Sequence, residues 1–170
     1  GLMTAYRAAN LDSIPQITSP LSTVASFGAP FLYTITANRG ASAYLASGLP
    51  AGLSIDGATG VISGSPVVIG TFNAIVSASN ASITGSAVLN ILVVSTATTP
   101  TGGNVTVTPD VPPGTPPLNV TFDSVATGGT TSVTILDPLA APAVPTASGY
   151  SIGDPAIYYD VSTTAALAPG

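Results

Sequence analysis

The chain contains no cysteine, histidine, lysine, glutamate or tryptophan, and its only bases are Arg7 and Arg39. Without cysteine there is no disulfide frame, thiolate ligand or thiol redox chemistry, so stability has to come from packing and backbone hydrogen bonds. Without histidine as well, imidazole general-base catalysis and the usual zinc sites are excluded. Two arginines against seven aspartates, a net charge of -5, cannot neutralise a phosphate backbone or hold an anionic bilayer surface. Long apolar runs are also missing. The longest, Val88 to Val94, is interrupted by Asn90 and is far too short to span a bilayer as a helix. Nucleic acid and membrane insertion are therefore set aside, and residues 1–13 lack the basic start, apolar middle and small-residue exit of a signal peptide.

What is present is apolar and hydroxylated. Hydrophobic residues make up 45% of the 170 and charged residues only 5%, against about 25% charged in ordinary globular chains. The surface must then be built mainly of Ser, Thr, Asn, Gly and Ala. So low a charge density leaves little repulsion between copies of the chain, which makes self-association into a homo-polymer the expected partnership.

The clearest local signal is Leu49 to Pro66, LPAGLSIDGATGVISGSP. Leu53, Ile55, Val61 and Ile62 flank the turn formers Asp56-Gly57 and Thr59-Gly60, as a tight hairpin requires. Pro50 and Pro66 bound it, because proline has no N–H to give a ladder. Upstream, Phe31, Tyr33 and Ile35 alternate with Leu32, Thr34 and Thr36. Downstream, Phe72, Ala74, Val76 and Ala78 share one face, and Val88, Asn90, Leu92 and Val94 oppose Leu89, Ile91 and Val93. Short alternating runs broken by Gly, Pro and Asn, without helical periodicity, predict an antiparallel β-sandwich.

Residues 1–13 precede the first strand signal and are read as an N-terminal arm, open between a short helix and an extended segment. Residues 95–103, STATTPTGG, are rich in Thr, Pro and Gly and read as a linker. A second β-rich unit is expected over 104–170, with strand-like Asn104 to Thr108 and Leu118 to Val125 separated by the proline-dense DVPPGTPP. Val133, Ile135, Ile152, Ile157, Tyr159 and Val161 continue the texture, and the unit is expected to be short of a closing strand.

Residues 14–94 resemble the "Putative Ig domain" family, found in tandem in bacterial and archaeal surface proteins and related to cadherin-like modules. The residues that carry the resemblance are SGLPAGLSID at Ser47 to Asp56, TGVISGSP at Thr59 to Pro66, Gly70-Thr71-Phe72, and VSASN at Val76 to Asn80. The resemblance implies an immunoglobulin-like sandwich in a secreted or cell-surface protein, with no catalytic residues. The second half, FDSVATGGTTSVTILDP with GYSIGDPAIYYDVSTTA, resembles a segment that recurs in secreted bacterial multi-domain proteins. The fold class expected is all-β, two tandem Ig-like antiparallel sandwiches. A Lys–Asn isopeptide cross-link, a device of Ig-like surface proteins, is excluded by the absence of lysine.

Chemistry-bearing residues are few. Asp56, Asp137 and Asp154 precede Gly or Pro, where an aspartate caps its own turn, and no acid cluster has calcium-ligand spacing. No cofactor is expected. Asn80, Asn104 and Asn119 begin Asn-X-Ser/Thr triplets and are candidate glycosylation positions. Tyr6, Tyr33, Tyr44, Tyr150, Tyr158 and Tyr159 are the only candidates for a sugar-stacking platform, with Tyr33 and Tyr44 favoured as core lining. The reading that results is a non-enzymatic subunit of an extracellular fibre, pilus-like filament or surface array, joined by β-strand addition, with Leu2, Tyr6 and Leu11 as candidate arm contacts. The alternative is a carbohydrate-binding or spacer module of a secreted adhesin or glycan-degrading enzyme.

Overall fold

A computed structural model describes residues 14–81, 83–136 and 157–168. Every regular element among them is a strand: β1 (Ser22–Ser26), β2 (Phe31–Thr34), β3 (Ala43–Ser47), β4 (Leu53–Asp56), β5 (Val61–Gly64), β6 (Gly70–Ser79), β7 (Thr84–Thr99), β8 (Gly102–Val107), β9 (Val120–Thr127), β10 (Gly129–Leu136), β11 (Tyr158–Thr163) and β12 (Ala166–Leu167). The all-β expectation holds. The described residues fall into two compact units, one reaching to Val67 and resuming over Phe72–Leu92, the other comprising Val68–Thr71 and the residues from Val93 onward.

In the first unit β3, β6, β7 and β1 lie side by side in one sheet, and β4, β5 and β2 in another. Alternation selects the buried face as the sequence pattern requires. Ala74, Val76 and Ala78 on β6 and Leu89 and Ile91 on β7 are fully buried, together with Ile62 on β5 and Ile35 just after β2. Leu32, by contrast, is 73% exposed, as its phase predicts. Each large aliphatic buried in this way contributes about 2 kcal/mol, which a chain without disulfides or ion-pair networks depends on.

The β4–β5 hairpin pairs Leu53 with Gly64 and Asp56 with Val61. At its open end the two backbones cross at Gly52 and Gly64. A Cβ on either glycine would overlap backbone, that of Ser65 for Gly52 and that of Gly52 for Gly64, and their φ angles are +94° and +130°. No side chain fits there. The crossing is tied by Ser65 N–H to the Gly52 carbonyl (3.2 Å) and Val67 N–H to the Ala51 carbonyl (2.9 Å). At the other end Gly60, with φ +74°, sits beneath the Tyr44 ring and against the Ile35 carbonyl.

In the second unit β8, β9 and β12 form one sheet, and β10 pairs with β11 on one side and with the last residues of β7 on the other. Val105, Val107 and Val125 make its apolar core, with Ala97, Phe122 and Ala165 packed against them. The segment expected as a linker is mostly strand: Ser95 to Thr99 pair with Val133 to Gly129, and Gly102 opens β8. Alternate hydroxyl residues face inward, Ser95 and Thr99, while Thr96 and Thr98 face out. Ser95, Thr99 and Thr131 are buried, and Thr99 Oγ1 bonds Thr131 Oγ1 at 2.6 Å, Thr131 donates to Thr163 Oγ1 (3.3 Å), and Thr163 donates to the Thr130 carbonyl (3.3 Å). A relay of this kind satisfies the two buried hydroxyls, on β7 and β10, by way of an exposed one on β11. The proline-dense segment stays out of the ladders and turns at Pro112, whose carbonyl accepts from Thr115 N–H (3.0 Å).

Two outcomes are expected in urea unfolding. Gly64→Ala is destabilised by about 3 kcal/mol or more, since overlap adds to backbone strain, whereas Gly28→Ala, which has φ +70° but open space around it, loses only about 1–2 kcal/mol. Thr131→Val orphans the buried Thr99 hydroxyl and costs about 1–3 kcal/mol; adding Thr99→Val recovers part of the loss, and strict additivity would contradict the relay.

Candidate functional site

One edge of β9 is only partly paired among the described residues. On its other edge β9 is paired with β8 from Gly102 opposite Val125 to Val107 opposite Val120. On the open side β12 supplies only Ala166 opposite Thr127 and Leu167 opposite Val125, followed by Ala168 N–H to the Ser124 carbonyl at 3.2 Å. Among the described residues nothing pairs with β9 beyond Ser124 in the direction of Val120. In an antiparallel ladder alternate residues turn both backbone groups to the same edge. Ser124 turns its carbonyl to β12, and the alternation of β9 shifts phase between buried Val125 and half-buried Phe122, where Asn104 on the partner strand has φ +52°.

The side chains along this edge separate by face. Val120 and Phe122 are half-buried and Thr121 and Asp123 are exposed. Phe122 packs on the core valines but stays partly uncovered where β12 does not reach. A row of unpaired donors and acceptors beside a partly covered aromatic ring is a template for an added strand.

The candidates named from sequence are scattered. Leu2, Tyr6 and Leu11 lie outside the described residues, as do Tyr150, Asp137 and Asp154. Asn80 caps the β6–β7 turn: its Nδ2 donates to the Arg39 carbonyl (3.3 Å) and its Oδ1 accepts from Ile83 N–H (3.2 Å). Asn104 is exposed with φ +52°, and Asn119 is exposed and accepts from Thr108 Oγ1 at 2.7 Å. The three do not form one site. Of the tyrosines, Tyr33 directs its hydroxyl at Ser19 Oγ (2.8 Å) and the Pro20 carbonyl (2.6 Å), Tyr44 lies over Gly60, and Tyr159 has a buried, unpartnered hydroxyl. All four described tyrosines are half-buried. Among the described residues no group of three or more acids, cysteines or histidines converges on a metal position, and no helix is long and apolar enough to cross a membrane.

Two other features were not legible beforehand. A cavity of about 300 Å³ runs between Ile14–Ile17 and Gly85–Ala87; it carries no ionisable side chain. On the outer face of the first unit Leu45, Ile75 and Val88 are 69%, 53% and 54% exposed on adjacent strands. The hydrogen bonds Ser77 to Ser86 (3.0 Å) and Asn90 to Asn73 (2.9 Å) flank Ile75 and Val88 and hold them in one row.

The fold defines an immunoglobulin-like β-sandwich, and comparison with known proteins agrees. Residues 14–94 match the family model described as "Putative Ig domain", the family and span that the hairpin motifs resemble. No curated protein sequence matches the chain. Among solved structures, a "putative alpha-galactosidase/melibiase" of Bacteroides fragilis is 33% identical over 46% of this chain and 17% of its own, with a TM-score of 0.43. A second "putative alpha-galactosidase" of the same organism is 30% identical over 53% of this chain and 20% of its own, with a TM-score of 0.44. This chain spans a fifth or less of the length of either.

Asp56 shows the turn-capping role. Its Oδ1 accepts from Ala58 N–H (2.9 Å) and Thr59 N–H (3.2 Å), and these bonds, Ala58 first, hold its carboxyl below the ordinary aspartate value. A depressed folded pKa gives stability that is present above the unfolded value and is lost as pH falls through the folded one. Asp56→Asn is therefore less stable than the parent at neutral pH, and urea curves taken down the pH scale should show the gap closing in acid. A gap that persists there contradicts the capping account.

Proposed function

We propose that the chain is a non-enzymatic structural subunit of an extracellular fibre, pilus-like filament or cell-surface array, assembling by β-strand addition. The observation that carries this reading is the edge of β9 away from β8, whose backbone groups from Val120 to Asp123 no described residue pairs. Strand addition satisfies those groups and buries alternate side chains in one event, so a short segment makes a strong contact.

Two further features support it. With 5% charged residues the surface offers little electrostatic resistance to close packing of copies. The exposed aliphatic row of Leu45, Ile75 and Val88 is a second surface that packing would cover. The carbohydrate-binding alternative calls for aromatic rings presented together to solvent; the four described tyrosines are half-buried, and Tyr33 has its hydroxyl engaged by Ser19 and Pro20.

Sedimentation velocity with electron microscopy tests the reading. Ordered linear polymers whose size rises with protein concentration are expected. A monodisperse monomer at every accessible concentration would overturn it.

A further inference from the structure

We infer that Asn104 is the N-glycosylation site of this chain, carrying an oligosaccharide on its side-chain nitrogen, and that Asn80 and Asn119, which share the Asn-X-Ser/Thr pattern, stay bare. This inference rests on the extracellular placement proposed above and not on assembly.

The pattern alone does not separate the three triplets, but their surroundings do. Transfer of a glycan needs an amide nitrogen that the fold leaves accessible and a stretch of backbone that can leave its ladder. Asn80 uses both ends of its amide on the β6–β7 turn, donating to the Arg39 carbonyl and accepting from Ile83 N–H. Asn119 has its amide plane fixed by Thr108 Oγ1 at 2.7 Å. Asn104 is exposed, and among the described residues no hydrogen bond holds its side chain. Its φ of +52° is left-handed and does not fit a ladder. Accordingly the pairing with β9 passes from Gly103 opposite Ser124 to Val105 opposite Phe122 and leaves Asn104 out. Gly102 and Gly103 precede it, and β8 is an edge strand of its sheet. Presenting this triplet therefore breaks fewer bonds than presenting either of the others. Its third residue, Thr106, is exposed, with Oγ1 3.1 Å from Thr121 Oγ1, a solvent-facing hydroxyl pair that exchanges partners at little cost.

In the transfer, Asn104 Nδ2 bonds the anomeric carbon of an oligosaccharide carried on a polyprenyl diphosphate, the bond from that carbon to the diphosphate breaks, and the Nδ2 proton leaves to a base of the transferase. The product adds bulk and hydration to a chain with only 5% charged residues. Position matters as well. β8 lies across β9 from the edge that no described residue pairs beyond Ser124, so a glycan on Asn104 leaves that edge clear. One on Asn119 would stand next to Val120, at the end of the same edge.

Peptide mapping by mass spectrometry of the full chain made by its native host tests the site. Asn104 is expected to carry the glycan, with Asn80 and Asn119 unmodified. Thr106→Ala and Thr121→Ala supply the control, because each breaks the same hydroxyl pair while only the first destroys the Asn104 triplet and only the second that of Asn119. The glycan should be lost in Thr106→Ala and kept in Thr106→Ser and Thr121→Ala. A bare Asn104 in the parent chain, a glycan on Asn80 or Asn119, or one that survives Thr106→Ala would overturn the assignment. The result is separable from the assembly reading: polymers of an unglycosylated chain overturn the glycan alone, a glycosylated monomer overturns assembly alone, and a chain retained inside the cell overturns both.

Discussion

The close crossing of two backbones at Gly52 and Gly64 is the constraint on which the first unit depends. Only hydrogen fits between the chains there, and the crossing lets the segment after β5 reach back to its surroundings: Ser65 and Val67 donate to Gly52 and Ala51, and the Pro66 carbonyl accepts from Gly28 N–H at 2.8 Å. The hairpin is in this way bonded at its base to the β1–β2 turn. The motif LPAGL…SGSP is thus a packing requirement written in glycine and proline, and it explains why a chain with neither disulfides nor lysines can specify a compact sandwich. Backbone proximity does here what cross-links do in many small disulfide-bonded domains.

The second unit solves the same problem with hydroxyls. A buried threonine is costly unless its hydroxyl is bonded, and the relay from Thr99 through Thr131 and Thr163 to the Thr130 carbonyl satisfies each in turn. Its apolar core is small, built on three valines with Phe122 at the margin. That margin coincides with the unpaired side of β9. A thin core that ends beside backbone groups no described residue pairs gains more from an added strand than a complete sandwich would, and this links the energetics of the unit to the function proposed for it.

Much of the first unit was legible from the sequence because its strands alternate cleanly. The phases of Phe31 to Thr36, of Phe72 to Ala78 and of Leu89 to Val93 were all readable, since one apolar residue in two lines the core. The turn capped by Asp56 was readable from Asp-Gly. Residues 95–103 were not, because Ser95 and Thr99 are buried through hydroxyl bonds, and burial of that kind leaves no apolar period to detect. The site was hidden for a different reason. Leu118 to Val125 reads as a strand, but whether its edge is paired depends on where β12 lies, over forty residues later, and one sequence does not give that distance in space.

Hydrogen exchange along Val120 to Asp123, compared between assembled and dilute chain, tests the central claim most directly. The account requires the amides in this stretch that exchange fast in the dilute chain to become strongly protected on assembly. Polymers in which they exchange as fast as in the dilute chain would contradict it.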